Sequence, residues 1–213
     1  MQKFTYKTFF VVGLAFSASN ASAASLITNG GFEAPTVIGQ YNSGQTPGGW
    51  TVDSGTIDFI GSYWNAQGGS AQSVDLNGNS AGTLSQIFSS TIGETYRVEF
   101  YQSYNPDRVD NSRMMRLAID TSRLTSLTPF GGATPTIGLS GNMNWERTIY
   151  DFVATNASTK LSFSTFSTDS SNTSWGMALD SVSVTAIPEP GEWAMMIAGV
   201  GVVGLMVRRR RAN

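Results

Sequence analysis

Between Thr95 and Ser103 the chain reads TYRVEFYQS, which places Tyr96, Val98 and Phe100 on one face of an extended segment and Arg97, Glu99 and Tyr101 on the other. Successive side chains of a strand point to opposite faces, so this alternation commits the segment to a sheet buried on one side. The same period recurs in TLSQIF (Leu84 against Ser85, with Ile87 or Phe88 inward), RLAID (Leu117 and Ile119), TIYDFVA (Tyr150 and Phe152) and KLSFSTF (Leu161 and Phe163). ALDSVSV is less regular, because Leu179 does not fall in step with Val182 and Val184. Clusters of Gly, Asn, Ser and Pro separate these runs, and residues 24–187 carry no helical period of useful length. The expectation is an all-β domain, a two-sheet β-sandwich or jelly roll.

Both ends differ from this body. Lys3 and Lys7 precede the apolar stretch Phe9 to Phe16, and Ala21-Ser22-Ala23 offers small residues for cleavage, so residues 1–23 read as a secretory signal peptide. At the other end, the apolar run from Trp193 to Val207 is 15 residues long. As a helix it reaches about 22 Å, against a hydrocarbon core of roughly 30 Å. This predicts a short C-terminal transmembrane helix that spans only a thinned bilayer, with Arg208, Arg209, Arg210 and Arg211 on the cytoplasmic side and everything before Trp193 outside. The domains expected are therefore 1–23, signal peptide; 24–187, β-sandwich; and 188–213, tail.

The body is the size of one domain, able to bury about 70% of its unfolded surface. Its seven basic and thirteen acidic residues leave it at −6, which disfavours nucleic acid as a partner. The chain has no Cys, so the exported fold has no disulfide and depends on its core, with or without a metal. It has no His either, which removes Ser-His-Asp and Cys-His chemistry and the usual zinc sites. An enzyme would have to use carboxylates, serines or lysine. Asp53 with Asp58, or Asp107 with Asp110, are the pairs available for glycosidase chemistry, but neither has a marking context. No catalytic residue is assigned.

Pro188-Glu189-Pro190, Trp193, the Gly-rich apolar run and the Arg cluster occur in that order within the last 26 residues. Together they resemble the PEP-CTERM sorting signal of Gram-negative bacteria that make extracellular polysaccharide. The resemblance implies that an exosortase-type membrane protease cuts near the PEP triplet, after transient anchoring in the inner membrane, and leaves the protein secreted or on the cell surface. In the body, LITNGGFEAP, GGWTVDSGTIDFIGSYW, SVDLNGNSAGTLSQIF, the YNPD after TYRVEF, and ALDSVSV look like the choice-of-anchor C family, related to plant cell-wall proteins on galactose-binding-like jelly rolls. That resemblance implies a carbohydrate-binding-like sandwich without common catalysis, associated with exopolysaccharide or biofilm matrix. The stretch from Leu124 to Asn144 follows none of its motifs. NGGFE and LDSV further resemble the paired ends of carbohydrate-binding jelly rolls, where first and last strands lie together and Glu33 and Asp180 would share one structural Ca²⁺; the alternative is that both only accept backbone hydrogen bonds.

The long links carry the other candidate residues. Tyr63, Trp64 and Asn65 sit in a Gly/Ser/Gln-rich segment, where aromatic faces could cover sugar C–H groups while amides meet hydroxyls. Burial of one of the aromatic pair as a loop anchor is the competing reading. Trp175 divides between ligand platform and loop plug, whereas Trp50 and Trp145 read as packing residues. Tyr104, Asn105, Asp107 and Arg108 form the richest polar constellation. There Arg108 could fork onto a uronic acid, with Arg113 and Arg116 extending a basic patch, or Asp107 and Arg108 could neutralise each other in a solvated turn. The functional expectation is a non-catalytic module for extracellular polysaccharide; the rival is a structural or adhesive matrix protein without a defined sugar.

Overall fold

The computed structural model describes residues 24–107, 113–120, 122–127, 141–167, 174–188 and 190–212. The expected signal peptide, Arg108, Glu189 and Asp110 lie outside them. Among the described residues, eleven strands form two antiparallel sheets. They are β1 (Gly39–Asn42), β2 (Thr51–Ser54), β3 (Thr56–Ile60), β4 (Ser73–Asp75), β5 (Thr83–Ser89), β6 (Thr95–Tyr104), β7 (Arg113–Ile119), β8 (Ser122–Leu127), β9 (Glu146–Val153), β10 (Ser158–Ser167) and β11 (Met177–Ala186). One sheet runs β1-β3-β4-β11-β6-β9 and the other β2-β5-β10-β7-β8. The expected two-sheet sandwich is thus present.

Alternation decides which face of each strand meets the other sheet. Tyr96, Val98 and Phe100 of β6, Leu117 and Ile119 of β7, and Leu161 and Phe163 of β10 are all buried in one core. Phe88 of β5 points inward and Ile87 outward, which settles that ambiguity. Aromatic rings join the layers: Phe32 lies 5.3 Å from Trp50, Trp50 lies 6.2 Å from Phe163, and Phe163 meets Phe100 edge-on at 5.0 Å. Fully burying a side chain of this kind contributes about 1.5–3 kcal/mol.

Two backbone devices shape the sandwich. The chain leaves β2 in one sheet and enters β3 in the other through Gly55, at φ +63°. A Cβ there would lie 2.0 Å from the Ala81 carbonyl oxygen, so only glycine fits. The second device explains why ALDSVSV breaks step. Pairing of β11 with β6 shifts register between Asp180 and Ser183, and Ser181 takes φ +52°. This bulge keeps Leu179, Val182 and Val184 all inward despite their uneven spacing.

The two ends of the domain do lie together. The Leu26 amide donates to the Val184 carbonyl at 2.8 Å, and the Val182 amide to the Gly30 carbonyl at 2.9 Å. Beyond β11, Pro190–Ala212 form one helix, α1, of 23 residues. Its N-terminal proline suits a position whose N–H has no intrahelical partner. Pro188 is exposed just before it, and Arg208, Arg209 and Arg210 are exposed near its end. Arg211 belongs to the same helix. The expected transmembrane helix is corrected here: among the described residues, no helix is long and apolar enough to cross a membrane. The apolar run is cut short by the arginines, as its length against the bilayer already implied.

Candidate functional site

Asp58 of β3 and Asp75 of β4 are cross-strand partners, on the face of their sheet opposite the core residues Ile57, Phe59 and Val74. Around them four loops close a cleft of about 410 Å³. One loop brings Tyr63 and Trp64, the next Asn77 to Asn79, a third Asn105 and Asp107, and the last Ser174 and Trp175. Every one of these loops leaves or enters a strand of the six-stranded sheet, which is why residues so far apart in sequence converge.

Asp75 is buried and holds the cleft floor together. Its Oδ1 accepts from the Asn77 and Gly176 amides, each at 2.8 Å, and its Oδ2 accepts from Asn105 Nδ2 at 2.8 Å. Burial pushes its pKa up to about 7, although these donors and their favourable dipoles oppose the shift; the Asp58 charge adds slightly to it. Asp58 differs. It is half-buried, its Oδ1 lies under the Gly78 turn without a hydrogen-bond partner, and burial raises its pKa.

The aromatic pair at the cleft divides by function. Tyr63 is 57% exposed and its hydroxyl donates to Asp107 Oδ2 at 2.6 Å. That hydrogen bond to the carboxylate raises the phenol's pKa. Trp64 is only 2% exposed. Its Nε1 donates to Ser73 Oγ at 2.6 Å, and its ring packs with Met143 and Ala178 on the outside of the sheet. The expectation of Trp64 as a stacking platform is therefore corrected: it is the loop anchor, with only an edge at the cleft. Trp175 remains 40% exposed at the cleft rim and holds φ +59°, a strained conformation for a bulky residue.

The other expected contacts need similar sorting. Tyr104 is buried in the core, so it is not available to a ligand. Asn105 is also buried; its amide fixes Asp75, and its Oδ1 accepts from the Asp107 amide at 2.9 Å. Asn65 faces elsewhere, donating to the Gly141 carbonyl at 2.6 Å while its own carbonyl receives Trp145 Nε1. Arg113 is buried and Arg116 stacks over Phe166 at 3.7 Å on the five-stranded sheet, so the suggested basic patch does not form at the cleft. Asp53 pairs with Lys160 at 2.8 Å on that same sheet and is separated from Asp58. Sequence reading missed Asp75, Asn77 and Asn79. The only signal was SVDLNGN, in which Val74 and Leu76 point inward and put Asp75 on the opposite face, just before a turn.

Glu33 and Asp180 meet on one loop. Glu33 Oε1 accepts from the Ala71 and Gln72 amides at 2.9 and 3.1 Å. Asp180 Oδ2 accepts from the Gln67 amide at 2.8 Å and Ser70 Oγ at 3.0 Å, and its Oδ1 from the Ser181 amide. Burial, with a further contribution from the Glu33 charge, pushes the Asp180 pKa up to about 6. Among the described residues no three acidic groups converge as metal ligands. A cation between these two carboxylates would thus take its remaining ligands from carbonyl or water oxygens.

Fold and site together define a single β-sandwich domain with a polar, aromatic-flanked loop cleft on one sheet. The chain belongs to the family described as protein of unknown function DUF642, whose model matches residues 25–185. Over 190 residues it is 28% identical to Halomucin of Haloquadratum walsbyi; the match covers 84% of this chain and spans about 2% of that much longer protein. Among solved structures, the sandwich is similar to TmCBM61 in complex with β-1,4-galactotriose, at 14% identity and a TM-score of 0.48 over 78% of this chain and 100% of that one. It is also similar to the CBM22-1 xylan-binding domain of Paenibacillus barcinonensis Xyn10C, at 13% identity and 0.45 over 79% and 99%. A third similar structure is the arabinose-bound arabinofuranosidase MgGH51, at 12% identity and 0.47 over 77% of this chain and 26% of that one.

Proposed function

We propose that this domain is a non-catalytic glycan-binding module of an exported protein that associates with extracellular polysaccharide. The observation that carries this reading is the cleft itself: two exposed aromatic faces, Tyr63 and Trp175, stand beside side-chain carboxylates and amides on a rigid sheet. Aromatic faces cover the C–H side of a sugar ring, and carboxylates and amides meet its hydroxyls. Catalysis is disfavoured by the arrangement of acids. A glycosidase needs two carboxylates flanking the scissile bond, roughly 5–9.5 Å apart. Here Asp58 and Asp75 stand side by side on one wall, and Asp75 is buried and fully engaged by donors. Affinity electrophoresis of the full chain through gels containing different polysaccharides tests the reading: retardation that Trp175→Ala removes supports it. No retardation in any gel favours a structural or adhesive matrix protein instead.

Two further elements belong to this proposal. One Ca²⁺ bridges Glu33 and Asp180 as a structural ion; this is supported by the approach of the two carboxylates on one loop, where the Glu33 charge otherwise disfavours that of Asp180. An unchanged Tm on addition of chelator would count against it. The tail from Pro188 acts as a sorting segment read by an exosortase-type membrane protease at the inner membrane, and the product is secreted or held on the cell surface. The support is the order of Pro188, Glu189, Pro190, the apolar run and Arg208 to Arg211 in the sequence. An intact mass that retains the arginines in exported protein would contradict this.

A further inference from the structure

Of the three aspartates that line the cleft among the described residues, two are already committed. Asp75 accepts three hydrogen bonds, from Asn77, Asn105 and Gly176. Asp107 Oδ2 accepts the Tyr63 hydroxyl. Asp58 lines the same cleft and accepts none, although it is half-buried and its Oδ1 is out of reach of water. A carboxylate in that state lacks the donors that would compensate its burial. Among the described residues, the cleft lining holds no Lys or Arg to supply a countercharge.

We propose that Asp58 is the specificity-determining residue of the cleft, accepting hydroxyl hydrogens from an uncharged sugar, and that the cleft discriminates against polyuronates. This rests on the glycan-binding reading above and names its ligand class. A neutral sugar brings hydroxyl donors and no charge, so one that reaches the Asp58 oxygen not sealed under the Gly78 turn compensates the carboxylate without adding repulsion. A uronate would place a further carboxylate beside Asp58, Asp75 and Asp107, with no described cation to receive it. The direction is opposite to the one suggested by Arg108 in the sequence, which looked toward uronic acids.

The structure also fixes how Asp58 can be told apart from a merely structural residue. Its cross-strand neighbour is another carboxylate, and like charges directly opposite destabilise a sheet. Asp58→Asn is close to isosteric and removes that repulsion, so it is expected to leave Tm equal or higher while weakening binding. Loss of a charged acceptor corresponds to about tenfold in affinity.

The test is affinity electrophoresis of the full chain and its Asp58→Asn variant in gels of neutral β-galactan, mannan, xylan and β-glucan, beside gels of polygalacturonate and alginate, with Tm measured for both proteins. Retardation in one or more neutral gels, none in the polyuronate gels, and about tenfold weaker retardation of Asp58→Asn at equal or higher Tm is the expected result. Preferential retardation by polyuronate, especially if removed by Arg108→Ala, overturns the proposal and leaves the glycan-binding reading intact. Unchanged affinity in Asp58→Asn, or affinity and Tm falling together, overturns it as well. If the unaltered chain is retarded in no gel at all, the broader reading fails and this proposal with it.

Discussion

Asp58 and Asp75 face each other across β3 and β4 on the solvent side of the sheet, two carboxylates in register beneath one cleft. Together with Asp180 they are the carboxyls among the described residues whose pKa burial raises, to about 7 for Asp75 and about 6 for Asp180. A carboxyl raised on folding lets the folded chain hold protons that the unfolded chain has released. Its contribution is full below the unfolded value and is lost as pH climbs through the folded one. We therefore expect Tm to fall between about pH 4 and pH 7. Below that window the trend reverses, because Arg147 and Arg97 hold the carboxyls of Glu99 and Asp151 below their usual range, and those ion pairs are lost on protonation. Thermal unfolding from pH 3 to 8 with chelator present checks this; a Tm that rises steadily to neutral pH would contradict it.

Tyr63 and Trp64 are adjacent but do opposite work, so their substitutions should separate. Trp64→Ala empties the space between the 61–72 loop and the sheet and orphans Ser73 Oγ. Truncation of a buried Trp costs about 3–5 kcal/mol. Tyr63→Ala removes an exposed ring and is expected to change stability by less than about 0.5 kcal/mol. Chemical unfolding of both variants gives the comparison, and equal losses would show that Trp64 is not the anchor.

Trp175 and Tyr63 should both matter to a bound sugar, with the larger effect at Trp175. Stacking pairs are worth about 0.5–1.5 kcal/mol beyond their area, and Trp buries more. Trp175→Ala is thus expected to abolish gel retardation, whereas Tyr63→Phe keeps the ring, releases Asp107 Oδ2 and shifts affinity only a few-fold. If Tyr63→Phe is the more damaging variant, the Tyr63–Asp107 hydrogen bond, not ring stacking, governs the site.

The strands were readable because each needs only its own alternation. Tyr96, Val98 and Phe100 identify an inward face whichever strand lies beside them. Strand order is not local, and nothing in SVDLNGN or GTIDFI says that Asp75 will pair with Asp58 rather than with a residue one step away. The cleft floor was invisible for that reason, while its rim was partly visible through Tyr63, Asp107 and Trp175, which sit in polar loops. Trp64 and Asn105 sit in equally polar loops, and the sequence could not show which of the Tyr63–Trp64 pair is buried or that Asn105 is, because their burial depends on Ser73, Met143 and Asp75 arriving from elsewhere. The uneven spacing of Leu179, Val182 and Val184 was a true signal of the bulge at Ser181, but only the register with β6 gives it meaning.

The neighbouring glycines Gly30 and Gly31 offer a test of how closely the domain's two ends are held. Gly30 runs against β11, and a Cβ added there would lie 1.8 Å from the Val182 carbonyl oxygen, a backbone atom that cannot swing aside. The same carbonyl segment pairs with Gly30 through the Val182 amide at 2.9 Å. Gly31, one residue on, has nothing nearer than Glu33 Cγ at 3.9 Å. Gly30→Ala must push the first segment off β11, disturbing Phe32 and the Glu33–Asp180 approach. It is expected to cost about 3 kcal/mol, the upper end of the overpacking range. Gly31→Ala only removes freedom from the unfolded chain and is expected to stabilise by about 0.4–1 kcal/mol. Equilibrium unfolding of the pair measures both signs at once. If Gly30→Ala proves as benign as Gly31→Ala, the first segment does not pack on β11 in solution, and the Glu33–Asp180 approach loses its support.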